Sequence, residues 1–386
     1  MDTQASADPT DHLAQVAALC SLSNAEVCSI DLRETDVPHL TALIAHEGLT
    51  GWVLRRLTDA HRTDPPAEAL RRAIKPQAMA TVVHNTKIIG VRAKVAAQMR
   101  SAGAEPIMLK GAALADTLYL GPSGAPDYSL RFLSDIDILV ASEAELRKAL
   151  RVLKPDISDT EVETAVRESA VRHHDSQHLM VDNVSVEIHT SLADPLEGLE
   201  PNEEIRNLCT THQGVGAAKE SLVTLRPDAM LYHLALHMIH HRTYSGIALK
   251  WIIDIAALLS READPVALIE RAKALNPNAS KQIGEACSMA MSLTSGTCRS
   301  ALSQAGISAT PINSQSLSNP QSHLGQMSSM VGSKMLKLWH LIRRAKGLGA
   351  KWRVLCQAVG HMAAAGKEQH PNSPTVVAFV LRLIGK

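Results

Sequence analysis

The sequence predicts an α+β fold: a small mixed sheet flanked by helices, with helical regions at the N-terminal and C-terminal ends. Two patterns carry this. Short apolar runs of strand character fall between residues 106 and 189, among them Leu133-Ser-Asp-Ile-Asp-Ile-Leu-Val140 and His178 to His189, each too short for a buried helix. On either side, apolar residues recur at helical spacing, from Leu13 to Met99 and again from Ala229 to Leu293. With 386 residues and 45% hydrophobic content, the chain can bury a sizeable core in two or three packing units.

The elements follow in order. Residues 1–75 form a helical N-terminal region, polar at its start, with helical spacing from Leu13 to Leu57 broken near Asp36-Val-Pro38. Asp64-Pro-Pro66 interrupts the pattern, after which Ala67 to Met99 reads as one or two helices leading through Ser101-Ala-Gly103 into a strand at Ile107. Residues 76–195 form the core that carries the sheet. Gly121 to Tyr128, rich in Gly and Pro, is a loop placed to act as a lid or substrate-selecting segment. Ser142 caps a crossover helix that runs to Leu153. In His178 to His189, Asp182-Asn183 is the tight turn between two strands. Helical spacing at 229–241, 247–259, 265–275 and 281–293 makes residues 196–302 a helical bundle region. Residues 303–330, rich in Ser, Gln and Asn, form a flexible linker to a basic helical tail at 331–386.

The candidate chemistry lies in the core. Asp135 and Asp137 are two apart in a strand, so their side chains leave on the same face. Two buried like charges are costly unless a cation or proton neutralises them, which points to a divalent-metal clamp. Upstream, Pro106-Ile-Met-Leu109 ends in Lys110-Gly111 and enters a helix-forming run. A strand turning into a helix there presents backbone N–H groups and a lysine to phosphate. Arg131 lies four residues before the acids, placed either to neutralise them or to meet a triphosphate. The second strand of the 178–189 pair carries Glu187 and His189 on one face.

Leu109-Lys110-Gly111, Arg131, Asp135-x-Asp137 and Val186-Glu187-Ile188-His189 together resemble the bacterial uncharacterised nucleotidyltransferase family. That family is a branch of the DNA polymerase β-type nucleotidyltransferase superfamily. The resemblance runs from about Leu40 to about Leu259, taking in His237 and Trp251-Ile-Ile-Asp254. It implies a palm-like nucleotidyltransferase sheet and an enzyme that uses Mg²⁺ or Mn²⁺ with a nucleoside triphosphate as co-substrate. Asp135, Asp137 and Glu187 would be its catalytic and metal residues. Lys110, Gly111, Arg131 and His189 would meet the nucleotide. The acceptor it implies is a hydroxyl of a peptide or small molecule.

Other readings are narrower. A D-x-D pair also serves metal-dependent glycosyltransferases that use sugar nucleotides, although no β-α-β half precedes the motif here. A catalytically weak nucleotide- or peptide-binding module is a third reading, against which the intact acids argue. Aromatic content of 3% and zero formal charge speak against a nucleic-acid partner. Cysteines at 20, 28, 209, 287, 298 and 356 form no C-x-x-C pair, as suits a reducing cytoplasm. No run is long and apolar enough for a transmembrane segment. His237 and His241 share a helix face, but without a third ligand they read as packing or substrate-contact residues, and Cys209-x-x-His212 lacks a second pair. Glu368 is the only acid against the many Lys and Arg residues between 334 and 386, so the tail is a solvated helix face or a docking element for an acidic partner or anionic surface.

Overall fold

Helix caps written into the sequence set the N-terminal architecture. The structure, a computed structural model, describes residues 9–33, 35–171, 177–193, 198–215, 220–244, 247–310 and 312. Four helices come first: α1 (Pro9–Leu19), α2 (Asn24–Ser29), α3 (Val37–His46) and α4 (Thr50–Asp59). The Asp36 carboxylate accepts the His39 N–H and so starts α3, with Pro38 in its first turn. Asp64 does the same for the Ala67 N–H at the head of α5 (Pro65–Ser101). This is one helix of 37 residues, not two, and it continues through Pro76. It therefore crosses the boundary expected at residue 75. At about 1.5 Å per residue it spans roughly 55 Å.

The sheet and its helices follow as β1 (Ile107–Met108), α6 (Lys110–Thr117), β2 (Asp135–Leu139), α7 (Glu143–Leu153), α8 (Asp159–Val171), β3 (Gln177–Val181) and β4 (Val184–His189). Ser142 caps α7 by accepting the Glu145 N–H, as its position predicts. Asp182 and Asn183 have φ of +49° and +59°, the left-handed pair that a two-residue hairpin turn requires. Two strands then appear where only helices were expected, β5 (Cys209–Val215) and β6 (Glu220–Leu225). They complete a six-stranded mixed sheet of order β3-β4-β2-β1-β6-β5. β1 lies antiparallel to β2 and parallel to β6, and β2 lies parallel to β4. The sheet-bearing core thus extends past residue 195. β5 is an edge strand of mostly polar sequence, Cys-Thr-Thr-His-Gln-Gly-Val, so it lacks the apolar alternation that marks a strand.

The remaining helices are α9 (Pro227–Tyr244), α10 (Leu249–Arg261), α11 (Pro265–Leu275), α12 (Ser280–Met291) and α13 (Gly296–Gln304). Nothing in the polar spacing of α8 and α13 announced them as helices. After α13 the chain still packs: Thr310 N–H bonds Ser288 C=O at 2.9 Å, and Ile307 and Ile312 lie against the core. The expected linker therefore starts no earlier than residue 312 along the described chain. Its remainder and the basic tail lie outside the described residues.

Buried polar groups on α5 tie the pieces together. Arg92, fully buried, donates to the Ala112 C=O at 2.7 Å and pairs with Asp116 at 2.5 Å, which fixes α6 on α5. Two turns earlier, buried Asn85 donates to the Tyr128 and Arg131 carbonyls, each at 2.7 Å, and accepts the Leu133 N–H at 3.0 Å. The stretch entering β2 is held in place by these bonds. The 121–128 loop closes through a bridge between Leu120 and Pro126. Gly121, Pro122 and Gly124 line a pocket of about 460 Å³ with Trp52, Arg55 and Arg261. None of Asp135, Asp137 and Glu187 lines it, so the loop tip lies between α4 and the end of α10, whereas a lid or substrate-selecting segment close to those acids was expected.

Candidate active site

The parallel pairing of β2 with β4 assembles the acids. Its register sets Asp135 beside Ser185, Asp137 beside Glu187, and Leu139 beside His189. Side chains of one parity share a face, so Asp135, Asp137, Glu187 and His189 project together. On the other side of β2, Leu109 N–H bonds the Asp137 C=O at 3.0 Å, which brings the end of β1 level with the acid. The chain then turns through Lys110 at φ +44°, a left-handed conformation that costs a non-glycine residue about 1 kcal/mol or more. That turn aims the Lys110 ammonium at Asp137.

Asp137 is the centre of the cluster. Only 3% exposed, its Oδ1 accepts Lys110 Nζ at 2.6 Å and meets His189 Nε2 at 2.9 Å. Burial alone would raise its pKa, but the Lys110 charge and the His189 hydrogen bond hold it well below the usual carboxylate range. Asp135 goes the other way. Burial, followed by the charges of Asp137 and Glu187, pushes its pKa up against the pull of Lys110. Glu187 lies 3.8 Å from His189 Nε2 and 3.1 Å from His178 on β3. Ligand atoms of Asp137, Glu187 and His189 all come within 4.8 Å of one another, a spacing that fits one cation. The sequence placed Asp135, Asp137 and Glu187 together as metal residues. In the structure His189 replaces Asp135 in the compact group of three.

Arg131 differs from its expected place. Its guanidinium forms a forked pair with the buried Asp254 of α10, Nε to Oδ1 at 2.8 Å and Nη2 to Oδ2 at 2.9 Å. Tyr119 donates its hydroxyl to the same carboxylate. Arg131 is only 7% exposed, so both donor edges of the fork face protein. The contact with a triphosphate is therefore replaced by a structural one. The physical reason is Asp254, a carboxylate far along the chain whose burial demands a cation. Gly111 packs against the same guanidinium: a Cβ there would lie 2.3 Å from Arg131 Nη1 and 2.8 Å from Leu133 Cδ2. Glycine is required by this close approach.

Several residues near the site gave no sign in the sequence reading. Asn85 and Arg92 sit one heptad apart on α5 among Ile88, Ile89 and Val95; polar residues in an apolar stripe were the available signal. His84 Nε2 bonds the Leu133 C=O at 2.8 Å. On α9, His233 is buried, with Nδ1 on the Leu192 C=O at 2.9 Å and no hydrogen-bond partner for Nε2 among the described residues. Burial and the nearby Lys110 charge push its pKa down to about 3, so the ring is neutral. Glu47, also buried, accepts the Leu249 N–H at 2.7 Å and anchors the start of α10. His237 and His241 pack with Trp251, ring centroids 5.0 and 4.8 Å away. His212 bonds Thr224 across the β5–β6 pair at 3.1 Å.

A model of the uncharacterised nucleotidyltransferase family matches residues 33–293. The chain belongs to this family. It is a nucleotidyltransferase enzyme, which removes the glycosyltransferase alternative. The comparisons with curated proteins and with solved structures each found no match. The family implies a nucleoside triphosphate substrate, and nucleotidyltransferases generally use a divalent metal with it. Among the described residues, no helix is long and apolar enough to cross a membrane.

Proposed function

We propose that this nucleotidyltransferase moves a nucleoside monophosphate from a nucleoside triphosphate to a hydroxyl of a peptide or small molecule and releases pyrophosphate. The observation that carries this reading is the convergence of Asp137, Glu187 and His189 beside Asp135 and Lys110. A divalent cation held by the group of three would neutralise phosphate charge and polarise the reacting phosphorus. Two carboxylates and an imidazole suit Mn²⁺ at least as well as Mg²⁺.

The remaining roles belong to side chains. Asp135, outside the group of three and with raised proton affinity, accepts the proton of the attacking hydroxyl. Glu187, expected from the resemblance to be both a catalytic and a metal residue, stays a metal ligand in this reading. The acceptor oxygen bonds the α-phosphorus as the bond to the bridging oxygen breaks, and pyrophosphate departs with the electron pair. Lys110, which pairs with Asp137 at 2.6 Å, would be the residue to turn to phosphate if a cation were held on that carboxylate. Arg131 and Asp254 hold the Gly111 turn in shape.

The test is a screen of the four nucleoside triphosphates with Mg²⁺ or Mn²⁺, following pyrophosphate release and acceptor mass. Wild type is expected to release pyrophosphate with at least one of them and to stop when EDTA is added. Asp137→Ala should lower turnover by a factor of about 10³ or more while the protein stays folded, since it removes the central ligand. Undiminished turnover by the purified variant would refute the assignment.

A further inference from the structure

Among the described residues, Lys110, Arg131 and Lys250 each feel the charge of Asp135 or Asp137, and two of these three are already neutralised within the protein. Lys110 pairs with Asp137 at 2.6 Å, and Arg131 pairs with Asp254 at 2.8 Å. The third is Lys250, in the first turn of α10, which makes no hydrogen bond or ion pair with any described residue. The helix on either side of it is anchored. Glu47 holds the preceding residue through the Leu249 N–H, and Asp254, one turn further on, is locked to Arg131. Residues four apart share a helix face, so Lys250 lies on the side of α10 that meets Arg131 and, through it, the Gly111 turn.

Electrostatics agree with that placement. Lys250 feels Arg131 as a repelling charge and Asp135, Asp254 and Glu47 as attracting ones, and burial lowers its pKa first of all. A desolvated ammonium without a partner is destabilising unless an anion arrives to pair with it. Surface lysines are normally spared this cost, so a half-buried one held by two anchors beside catalytic acids points to a ligand.

We infer that Lys250 is a substrate-binding residue that pairs with the non-transferred β- and γ-phosphates of the nucleoside triphosphate. This rests on the nucleotidyltransferase reading of the site and names a contact within it. The transferred α-phosphate belongs at Asp135 and Asp137. Lys250, fixed on a separate helix across the Gly111 turn, meets the end of the substrate that leaves as pyrophosphate. Its contribution therefore grows with the length of the phosphate chain.

The experiment compares wild type, Lys250→Ala and Lys250→Arg by titration calorimetry with Mg²⁺ present. The probes are inorganic tripolyphosphate, the triphosphate selected by the screen, and the matching nucleoside monophosphate. Lys250→Ala should weaken tripolyphosphate and triphosphate binding by about tenfold or more, leave monophosphate binding within about twofold, and raise KM more than it lowers kcat. Lys250→Arg should recover most of the triphosphate affinity. Equal tripolyphosphate affinity in wild type and Lys250→Ala overturns the assignment, as does an equal loss for the monophosphate, which would mark a merely structural role. If Lys250→Ala does not fold, Lys250→Met keeps the aliphatic stem and takes its place. Failure of wild type to bind any triphosphate would refute the nucleotide reading itself, an outcome separate from the other two.

Discussion

Asp135 and Asp137 share a strand face and differ in proton affinity because their partners differ. Asp137 is held ionised by Lys110 and His189, whereas Asp135 carries the cost of burial and of two neighbouring carboxylates. The Asp135 pKa is raised in the folded protein, so the folded state binds the proton more tightly than the unfolded chain does. Its contribution to stability therefore falls as pH rises from the ordinary carboxylate value to the raised one, and the full penalty is present above that. Asp135→Asn should accordingly raise the melting temperature at pH 7 by a few degrees, about 1 kcal/mol. The same change should abolish transfer. Thermal unfolding at pH 7 and pH 4 checks this, and the gain should shrink at the lower pH. Arg131 and Asp254 are coupled in another way. Removing one partner of a buried ion pair leaves the other uncompensated, at about 3–5 kcal/mol. Arg131→Met and Asp254→Leu should each destabilise by about that amount in urea unfolding, and the double variant by clearly less than the sum.

At the scale of elements, α5 is the spine on which the site is built. Its Arg92 holds α6, which begins with Lys110, and its Asn85 holds the approach to β2. Without Asn85, the carbonyls of Tyr128 and Arg131 and the N–H of Leu133 lose their partners. Each buried group left unsatisfied costs about 1–3 kcal/mol. Asn85→Ala should therefore destabilise the protein by roughly 3 kcal/mol and reduce turnover severalfold, because Arg131 and the start of β2 lose their fixed positions. Denaturant titration alongside a pyrophosphate-release assay measures both. Unchanged stability would mean that the segment is held by other contacts.

For the whole molecule, the N-terminal and later helices close on the sheet through long-range polar links. Glu47 reaches Leu249 across 202 positions of sequence, and Arg131 reaches Asp254 across 123. The contacts of Ile307, Thr310 and Ile312 extend the packed unit beyond α13. The first compact unit of the chain runs to Asn319. A chain ending at Asn319 should keep the melting temperature and nucleotide chemistry of the full chain, while one ending at Leu302 should lose about 2–3 kcal/mol of stability through lost apolar burial. Differential scanning calorimetry of the two truncations distinguishes these outcomes. An equal loss in both would place the later residues in the same cooperative unit.

The local patterns of the sequence determined the strands that carry the acids, most helix starts, the Asp182-Asn183 turn and the pairing of Asp135 with Asp137 on one face. These depend on periodicity and on capping, both of which act within a few residues. Tertiary structure alone decided that His189 joins Asp137 and Glu187, that Arg131 serves Asp254 and the Gly111 turn, and that β5 and β6 extend the sheet. It also decided that Lys250 stands beside the acids with no hydrogen bond or ion pair to any described residue. Each of these depends on groups separated by tens to hundreds of residues meeting in a desolvated interior. There the burial of one charge dictates where its counter-charge must lie, and no short-range pattern encodes that.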